Sequence, residues 1–283
     1  MNMITQLKDF KAQNGYLVCV DSDGCAIDTM NVKHIEVFGP MIVKEWGLET
    51  HEKAILGRWN AFNLYEITRG INRFKGLEKM LTELHESGIT IEGYDSIKRW
   101  TDTTNEFSNE SLIREIDKYP EEIGLKKALN WSNEVNKKIK ALPDAKIFDN
   151  VKTTLEKISK HADIAIVSSA NLAAVEHEWT INGLTPYLTG IFAQDSGTKA
   201  HCLQSLRQHY EHTHMIMLGD ALGDYEAAQQ NDVFFYPILA NHESTSWEHF
   251  NKTYLDKFLS QSLTTENQNN LFNDFKNNLN GGQ

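Results

Sequence analysis

The sequence contains few cysteines: there are three among 283 residues, Cys19, Cys25 and Cys202. This odd, sparse set has no CxxC spacing, which excludes a disulfide framework and favours reduced thiols. No apolar stretch approaches the roughly 20 residues that cross a bilayer. The first fifteen residues also lack the apolar run of a signal peptide. We therefore expect a cytoplasmic protein that does not enter a membrane.

An excess of positive charge is also missing. The chain has 28 Lys and Arg against 39 Asp and Glu, for a formal net charge of −11. This balance argues against nucleic acid or an anionic membrane as the main partner. It still permits a small anionic substrate, because the local field decides what a site binds. Nothing in the composition indicates an oligomeric state.

Five short apolar runs have the composition of buried strands. Helical patterns over residues 171–182, 198–210 and 224–231 separate the later runs. Strands that alternate with helices of this length predict an α/β fold with a doubly wound, mainly parallel, Rossmann-like sheet. The runs are YLVCV (16–20), DIAIV (163–167), GIFAQ (190–194), HMIML (214–218) and DVFFYPI (232–238).

The interval between the first and second runs contains no convincing strand. It has several amphipathic helical patterns, among them residues 34–47, 51–68, 74–87 and 121–142. The pattern predicts an all-helical insertion over 30–145 within a core formed by 1–29 and 146–262. Residues 263–283 are polar and Asn-rich, and predict a surface helix with a frayed tail.

Polar residues follow each of the first four strands. The carboxyl ends of parallel strands meet at one edge of a sheet, where ligands bind near the point at which strand order reverses. We therefore expect these side chains to converge. They are Asp21 and Asp23 after the first strand, Ser168, Ser169 and Asn171 after the second, Lys199 after the third, and Asp220 and Asp224 after the fourth.

The chemistry of this set points to phosphoryl transfer. Carboxylates without His or Cys ligands suit a hard cation, above all Mg²⁺. A lysine, a hydroxyl and the backbone N–H groups at a strand-to-helix turn can hold a phosphate. Gly24, Gly197, Gly219 and Gly223 are expected to let the backbone approach the ligand. Taken singly, each residue has an ordinary alternative as a helix cap or a solvated surface charge.

Four motifs in this order resemble those of the haloacid dehalogenase superfamily of phosphohydrolases. Asp21-Ser22-Asp23-Gly24 with Asp28-Thr29 resembles its first motif, DxDGxxxDT, and Ser168 resembles the second. Lys199 resembles the third, and Gly219-Asp220 with Asp224 resembles the fourth, GDxxxD. The helical insertion after the first motif is similar to the superfamily's C1 cap. The resemblance implies a Rossmann-like core with a mobile cap that closes over the site.

The resemblance also implies roles for the core residues. Asp21 would be the nucleophile that forms an aspartyl-phosphate, and Asp23 the general acid and base. Ser168 would hydrogen-bond the phosphoryl group, with Ser169 and Asn171 as further substrate-binding candidates. Lys199 would offset repulsion between nucleophile and phosphate. Mg²⁺ would be held by Asp21, the Asp23 backbone carbonyl and Asp220, with Asp224 assisting.

Several functions stay open at this stage. Dehalogenases and phosphonatases of the superfamily lack an acid at the position of Asp23, so its presence favours phosphate esters. The first hypothesis is a Mg²⁺-dependent phosphatase that acts on a small phosphorylated metabolite. Phosphomutases share the acid, although the mutase-like KPxP context is replaced here by Lys199-Ala200-His201-Cys202. A non-catalytic phosphate-binding module is the third hypothesis.

Substrate choice is expected to come from the helical insertion. Arg69, Arg73 and Lys75 form a basic cluster in an acidic protein. We expect Arg69 or Arg73 to bind an anionic or polar leaving group. The alternative is an ordinary helix end, or salt bridges with Glu66 and Glu78.

Overall fold

The computed structural model describes residues 5–281, which divide into two compact units. One unit combines Met1–Met30 with Asp144–Gln283, and the other is Asn31–Pro143. Residues 1–4 and 282–283, which belong to the predicted segments 1–29 and 263–283, lie outside the described residues. We call the two units the sheet unit and the helical unit.

The sheet unit is built on five parallel strands in the order β3-β2-β1-β4-β5. Every residue of β1, β2 and β4 is buried, as expected for a parallel sheet that is covered on both faces. The predicted α/β, Rossmann-like fold class is therefore confirmed. The strands are β1 (Leu17–Val20), β2 (Asp163–Val167), β3 (Gly190–Phe192), β4 (Met215–Gly219) and β5 (Phe234–Pro237).

The central position of β1 determines which chain segments meet at the carboxyl edge of the sheet. It pairs with β2 on one side, with Val20 opposite Ile166, and with β4 on the other, with Val20 opposite Leu218. The strand order reverses at β1, so the segments after β1, β2 and β4 leave the same sheet edge. β3 is shorter than the predicted run, because the chain turns into a 3₁₀ helix at Gln194–Ser196.

The helical unit contains seven α-helices, the first of which begins one residue before the unit, at Met30. The α-helices are α1 (Met30–Lys33), α2 (Gly39–Trp46), α3 (Glu52–Asn60), α4 (Arg73–Glu86), α5 (Tyr94–Thr103), α6 (Asn109–Lys118) and α7 (Ile123–Ile139). Two segments are π-helical: His34–Phe38 joins α1 to α2, and Ala61–Tyr65 continues α3. The helical patterns named in the sequence do not include the helices that begin at Tyr94 and Asn109.

Large aromatic side chains fill the core of the helical unit. Trp59 and Trp131 are fully buried and meet edge-to-face with ring centroids 6.3 Å apart. Phe74 and Trp100 make a second edge-to-face contact at 5.2 Å. Such pairs stabilise a core beyond the area that they bury. The helical unit therefore has a hydrophobic core of its own.

Helices also flank the sheet and cover its β5 edge. The Gln268 side chain accepts the N–H of Phe235 at 2.8 Å, so the last helix satisfies an edge-strand donor. The C-terminal helix is more than a surface helix, because Phe275 and Leu279 are buried. The α-helices are α8 (Val151–Ile158), α9 (Leu172–Ile181), α10 (Lys199–Leu206), α11 (Leu222–Gln230), α12 (Glu243–His249), α13 (Leu255–Leu259) and α14 (Thr265–Gly281).

The two chain segments that connect the units lie side by side in the sheet unit. Ile27 forms an antiparallel bridge with Ile147. The N–H of Asp28 donates to Lys146 O at 2.8 Å, and the N–H of Phe148 donates to Ala26 O at 3.2 Å. Both connections are thus anchored to each other. Within residues 5–281, none of the helices has the length and apolarity to cross a membrane.

At Gly124, α7 packs closely against the first turn of α5 and the residue that precedes it, Gly93. A Cβ at Gly124 would lie 2.0 Å from Gly93 O and 2.5 Å from Ser96 Oγ. We expect Gly124→Ala to lower the free energy of unfolding by about 2–4 kcal/mol, because the helices must separate. Gly57, an exposed residue inside α3 with nothing near its Cβ position, provides the control. There, Gly57→Ala should raise stability by about 0.5–1 kcal/mol. Urea unfolding of both variants measures this, and equal stabilities would contradict the packing.

Candidate active site

Asp21 lies at the end of the central strand and is 5% exposed. Its N–H donates to Leu218 O at 3.0 Å, which continues the β1–β4 ladder by one residue. The backbone of Asp21 is therefore fixed by the sheet rather than by a free loop. This places its carboxylate at the carboxyl edge, where the sequence predicts it.

Asp23 is half-buried and has a dedicated partner. The hydroxyl of Thr29 donates to Asp23 Oδ1 at 2.8 Å. Gly24 follows with a φ of +76°, so the chain turns sharply through the left-handed region that favours glycine. Thr29 is 1% exposed and directly follows Asp28, whose N–H donates to Lys146 O. Thr29 belongs to the first sequence motif, but the motif alone does not predict this contact with Asp23.

Asp220 and Asp224 follow β4 and are both buried, at 2% and 0% exposed. Asp224 lies in the first turn of α11, and its Oδ2 accepts the N–H of Ala221 at 3.0 Å. Gly219 makes room for this carboxylate: a Cβ there would be 2.3 Å from Asp224 Cγ. The sequence predicts that Gly219 and Gly223 let backbone approach a ligand; in the structure Gly219 admits Asp224, and Gly223 has nothing near its Cβ position.

Lys199 is the first residue of α10, whose N-terminus is capped by the Thr198 hydroxyl at 3.1 Å from His201 N. Its Nζ lies 2.9 Å from Asp21 Oδ1 and 2.5 Å from Asp224 Oδ1. Burial lowers the pKa of Lys199, but the charges of Asp21 and Asp224 outweigh it and raise the pKa above its usual value. Lys199 is therefore a permanent cation at this site.

Three carboxylates surround this ammonium group. Oxygens of Asp21, Asp220 and Asp224 all lie within 4.8 Å of one another. Burial raises the pKa of Asp21 well above its usual range; Lys199 opposes the rise, and the charges of Asp224 and Asp220 add to it. When all four groups are ionised, negative charge exceeds positive charge by two. The cluster thus carries excess negative charge.

The donor set fits a divalent hard cation. All three side chains offer buried carboxylate oxygens, which are the ligands that Mg²⁺ prefers. Such an ion would also favour the charged form of Asp21. Both oxygens of Asp224 accept hydrogen bonds, one from Lys199 Nζ and one from the N–H of Ala221. Asp23 lies outside this group of side-chain oxygens within residues 5–281.

The segment after β2 supplies hydroxyl groups. Ser168 is 3% exposed, its N–H donates to Phe192 O at 3.0 Å, and its Oγ accepts the N–H of Ala170 at 3.1 Å. Ser169 is exposed. Asn171 is also exposed and caps α9, since its Oδ1 accepts the N–H of Ala173 at 3.1 Å. Ser168 thus follows β2, which pairs with the strand that ends before Asp21. Asn171 already has a structural role as the cap of α9.

The two arginines of the basic cluster lie in the helical unit. Arg69 is 3% exposed, and its Nη1 donates to Leu64 O at 2.8 Å. Arg73 donates to Asn136 Oδ1 at 2.6 Å and lies over the Phe38 ring at 5.3 Å. Glu66 pairs with Arg58. The burial of Arg69 does not fit the alternative of an ordinary solvated helix end.

Comparison with known proteins agrees with this fold. The sequence profile described as haloacid dehalogenase-like hydrolase matches residues 93–238, which is more than half of the chain. The chain belongs to this family of hydrolases. The matched range contains Ser168, Lys199, Asp220 and Asp224 and begins after Asp21 and Asp23.

Solved structures show the same fold at low sequence identity. β-Phosphoglucomutase from Clostridium difficile is 15% identical with a TM-score of 0.53, covering 87% of this chain and 98% of that one. A Bacteroides vulgatus protein, provisionally described as a β-phosphoglucomutase, is 14% identical with a TM-score of 0.51, covering 90% and 93%. No curated protein sequence matches the chain significantly. The structural likeness therefore concerns the fold.

The contact between Gly219 and Asp224 gives a test of metal binding. We expect Gly219→Ala to weaken Mg²⁺ binding by about 10–100-fold, because its methyl group would displace Asp224 and, with it, Lys199. Isothermal titration calorimetry measures the affinity. Gly223→Ala, at an exposed position of α11 with free space, is the matched control and should bind as the wild type does. Equal affinities for the two variants would contradict this role of Gly219.

Proposed function

We propose that the protein is a Mg²⁺-dependent phosphohydrolase that acts on a small phosphorylated metabolite through an aspartyl-phosphate. One observation carries the proposal: Lys199 Nζ lies between Asp21 Oδ1 at 2.9 Å and Asp224 Oδ1 at 2.5 Å, beside the buried Asp220. A nucleophilic carboxylate needs such charge neutralisation before it can approach a phosphate dianion.

In this proposal Asp21 is the nucleophile. An Oδ of Asp21 bonds to phosphorus while the bond from phosphorus to the ester oxygen breaks. Asp23 gives its proton to the departing oxygen. Water then attacks the phosphorus, Asp23 takes the proton of that water, and the bond from Asp21 to phosphorus breaks. Inorganic phosphate leaves, and both carboxylates return to their starting states.

The surrounding residues support these two steps. Thr29, which donates to Asp23 Oδ1 at 2.8 Å, orients the acid. Ser168 is proposed to bind the phosphoryl group, with Ser169 and Asn171 at the same turn. Mg²⁺, when bound by Asp21, Asp220 and the Asp23 carbonyl with Asp224 assisting, would neutralise charge on the phosphoryl oxygens.

A phosphomutase is the second candidate. It would use the same Asp21 and Asp23 but return the phosphoryl group to a second hydroxyl of the sugar. Two structural neighbours are described as β-phosphoglucomutases, although that likeness is one of fold. A mutase would need a bisphosphate activator and release little phosphate, so the products separate the two candidates. The intact set of charged residues disfavours a module that only binds phosphate.

The test is phosphate release from a chromogenic phosphate ester. We expect wild-type protein to release phosphate with Mg²⁺ and to lose this activity with EDTA. Asp21→Asn should lower the rate by about 10³-fold or more, because the amide is not a nucleophile. Asp232→Asn is the matched control and should keep full activity. Its side chain is 75% exposed and its φ of +51° suits asparagine.

Two outcomes of this test would contradict the phosphatase. Activity in Asp21→Asn above a tenth of wild type would refute the aspartyl-phosphate. Conversion of a sugar phosphate to its isomer, with little release of phosphate, would assign the chain to the mutases.

We further propose that Arg69 or Arg73 of the helical unit binds the leaving group of the substrate. Both combine a guanidinium group with a fixed position, through Leu64 O for Arg69 and Asn136 for Arg73. A preorganised guanidinium can form two parallel hydrogen bonds with an anionic group.

Michaelis constants test this role. We expect Arg69→Ala or Arg73→Ala to raise KM about tenfold with kcat within twofold, since a charged hydrogen bond to the ground state is lost. Arg99→Ala is the control, because Arg99 also covers an aromatic ring, Tyr119, at 5.1 Å and pairs with Glu122. Its KM should stay unchanged. Unchanged KM in both Arg69→Ala and Arg73→Ala would refute the hypothesis.

A further inference from the structure

The loop that carries Asp21 and Asp23 is folded around one buried residue, Ser22. The carbonyl oxygen of Ser22 accepts the N–H groups of Ala26 and Ile27, both at 3.0 Å, and more weakly that of Cys25 at 3.4 Å. Ser22 has no exposed surface. The backbone from Ser22 to Ile27, which includes Asp23, thus closes into a compact turn whose hydrogen bonds converge on the carbonyl group of Ser22.

Two indole groups donate to this turn from different helices. Trp179 Nε1 of α9 donates to Ser22 Oγ at 2.9 Å. Trp247 Nε1 of α12 donates to Cys25 O at 2.8 Å. Both tryptophans have no exposed surface. The turn is therefore bound on two sides, once through a side chain and once through the backbone.

These contacts do more than fill space. A buried indole N–H or hydroxyl without a partner costs roughly 1–3 kcal/mol, so both bonds fix the positions of the groups that they join. Trp179 also lies on the helix that begins directly after Ser168, Ser169 and Asn171. Its bond to Ser22 joins the loop of the two aspartates to the helix that follows β2.

We propose that Trp179 and Trp247 are positioning residues, which hold the turn of Ser22 so that the Asp21 and Asp23 carboxylates are placed for attack and proton transfer. The inference rests on the proposed phosphohydrolase function and adds two residues to it. In-line attack is sensitive to position, because a misplacement of about 1 Å can lower a rate about 100-fold. The two indole N–H groups donate to Ser22 Oγ and Cys25 O, so the tryptophans act through these two residues.

The test uses substitutions that remove the hydrogen bond, and the control variant makes the same Trp→Phe change in volume elsewhere. Trp179→Phe and Trp247→Phe keep an aromatic ring but lose the donor, and Ser22→Ala removes the acceptor. We expect kcat for the chromogenic ester to fall about tenfold in each, with KM within twofold. The double variant Ser22→Ala with Trp179→Phe should be no slower than the slower single variant, because both remove the same bond.

Trp46→Phe is the matched control for these variants. Trp46 Nε1 donates to Glu92 O at 3.2 Å in the helical unit, so this variant loses a comparable indole bond away from the turn. Its kcat should equal that of the wild type. A similar fall in kcat for Trp46→Phe, or fully multiplicative effects in the double variant, would overturn the proposal.

Hydrogen exchange provides a reading that needs no turnover. The amide groups of Ala26 and Ile27, which donate to Ser22 O, should exchange at least about tenfold faster in Trp179→Phe than in wild type or Trp46→Phe. An inactive wild type would refute the proposed function, whereas faster exchange confined to this turn would still support the positioning. Unchanged exchange together with unchanged kcat in Trp179→Phe and Trp247→Phe would overturn it.

Discussion

Lys199 donates to Asp21 and to Asp224 at once, and these two contacts join the end of β1 to the first turn of α11. Removing one partner of a buried ion pair lowers the free energy of unfolding by on the order of 3–5 kcal/mol, because the other charge is left buried without compensation. The third carboxylate, Asp220, leaves the group with excess negative charge. The need to balance this negative charge constrains the sheet edge and favours a further cation there.

The backbone around this group is arranged to keep the carboxylates in place. Gly219 is needed because any larger residue would occupy the space of Asp224. Thr29 holds the side chain of Asp23, and the N–H of Asp21 is part of the β1–β4 ladder. Each acid is thus restrained by a different kind of contact. Mutual repulsion between close carboxylates would otherwise spread them apart.

The parallel sheet and the convergence of charged side chains could be predicted from the sequence, because both follow from local patterns. Short apolar runs mark buried strands, and polar residues at their carboxyl ends meet wherever strand order reverses. Lys199 and Asp220 were expected near Asp21 on this ground, and the distances agree.

Other features could not be predicted, since they depend on contacts between distant segments. Nothing near Ser22 in the chain indicates its bond to Trp179, which is 157 residues away. The C-terminal helix looks polar in sequence, yet Leu271, Phe275 and Leu279 recur every four residues and pack on one face. The closeness of Gly93 and Gly124 is likewise a property of packed helices. Composition and spacing within a window do not contain this information.

The paired connections at Ala26–Asp28 and Lys146–Phe148 bear on how such a chain can change over evolutionary time. Because Asp28 N and Lys146 O are 2.8 Å apart, the helical unit enters and leaves the sheet unit at neighbouring points. An insertion of more than one hundred residues therefore adds little loop-closure entropy beyond that of a hairpin. The helical unit can therefore be exchanged, enlarged or redesigned without a change in the strand order or in the group of carboxylates.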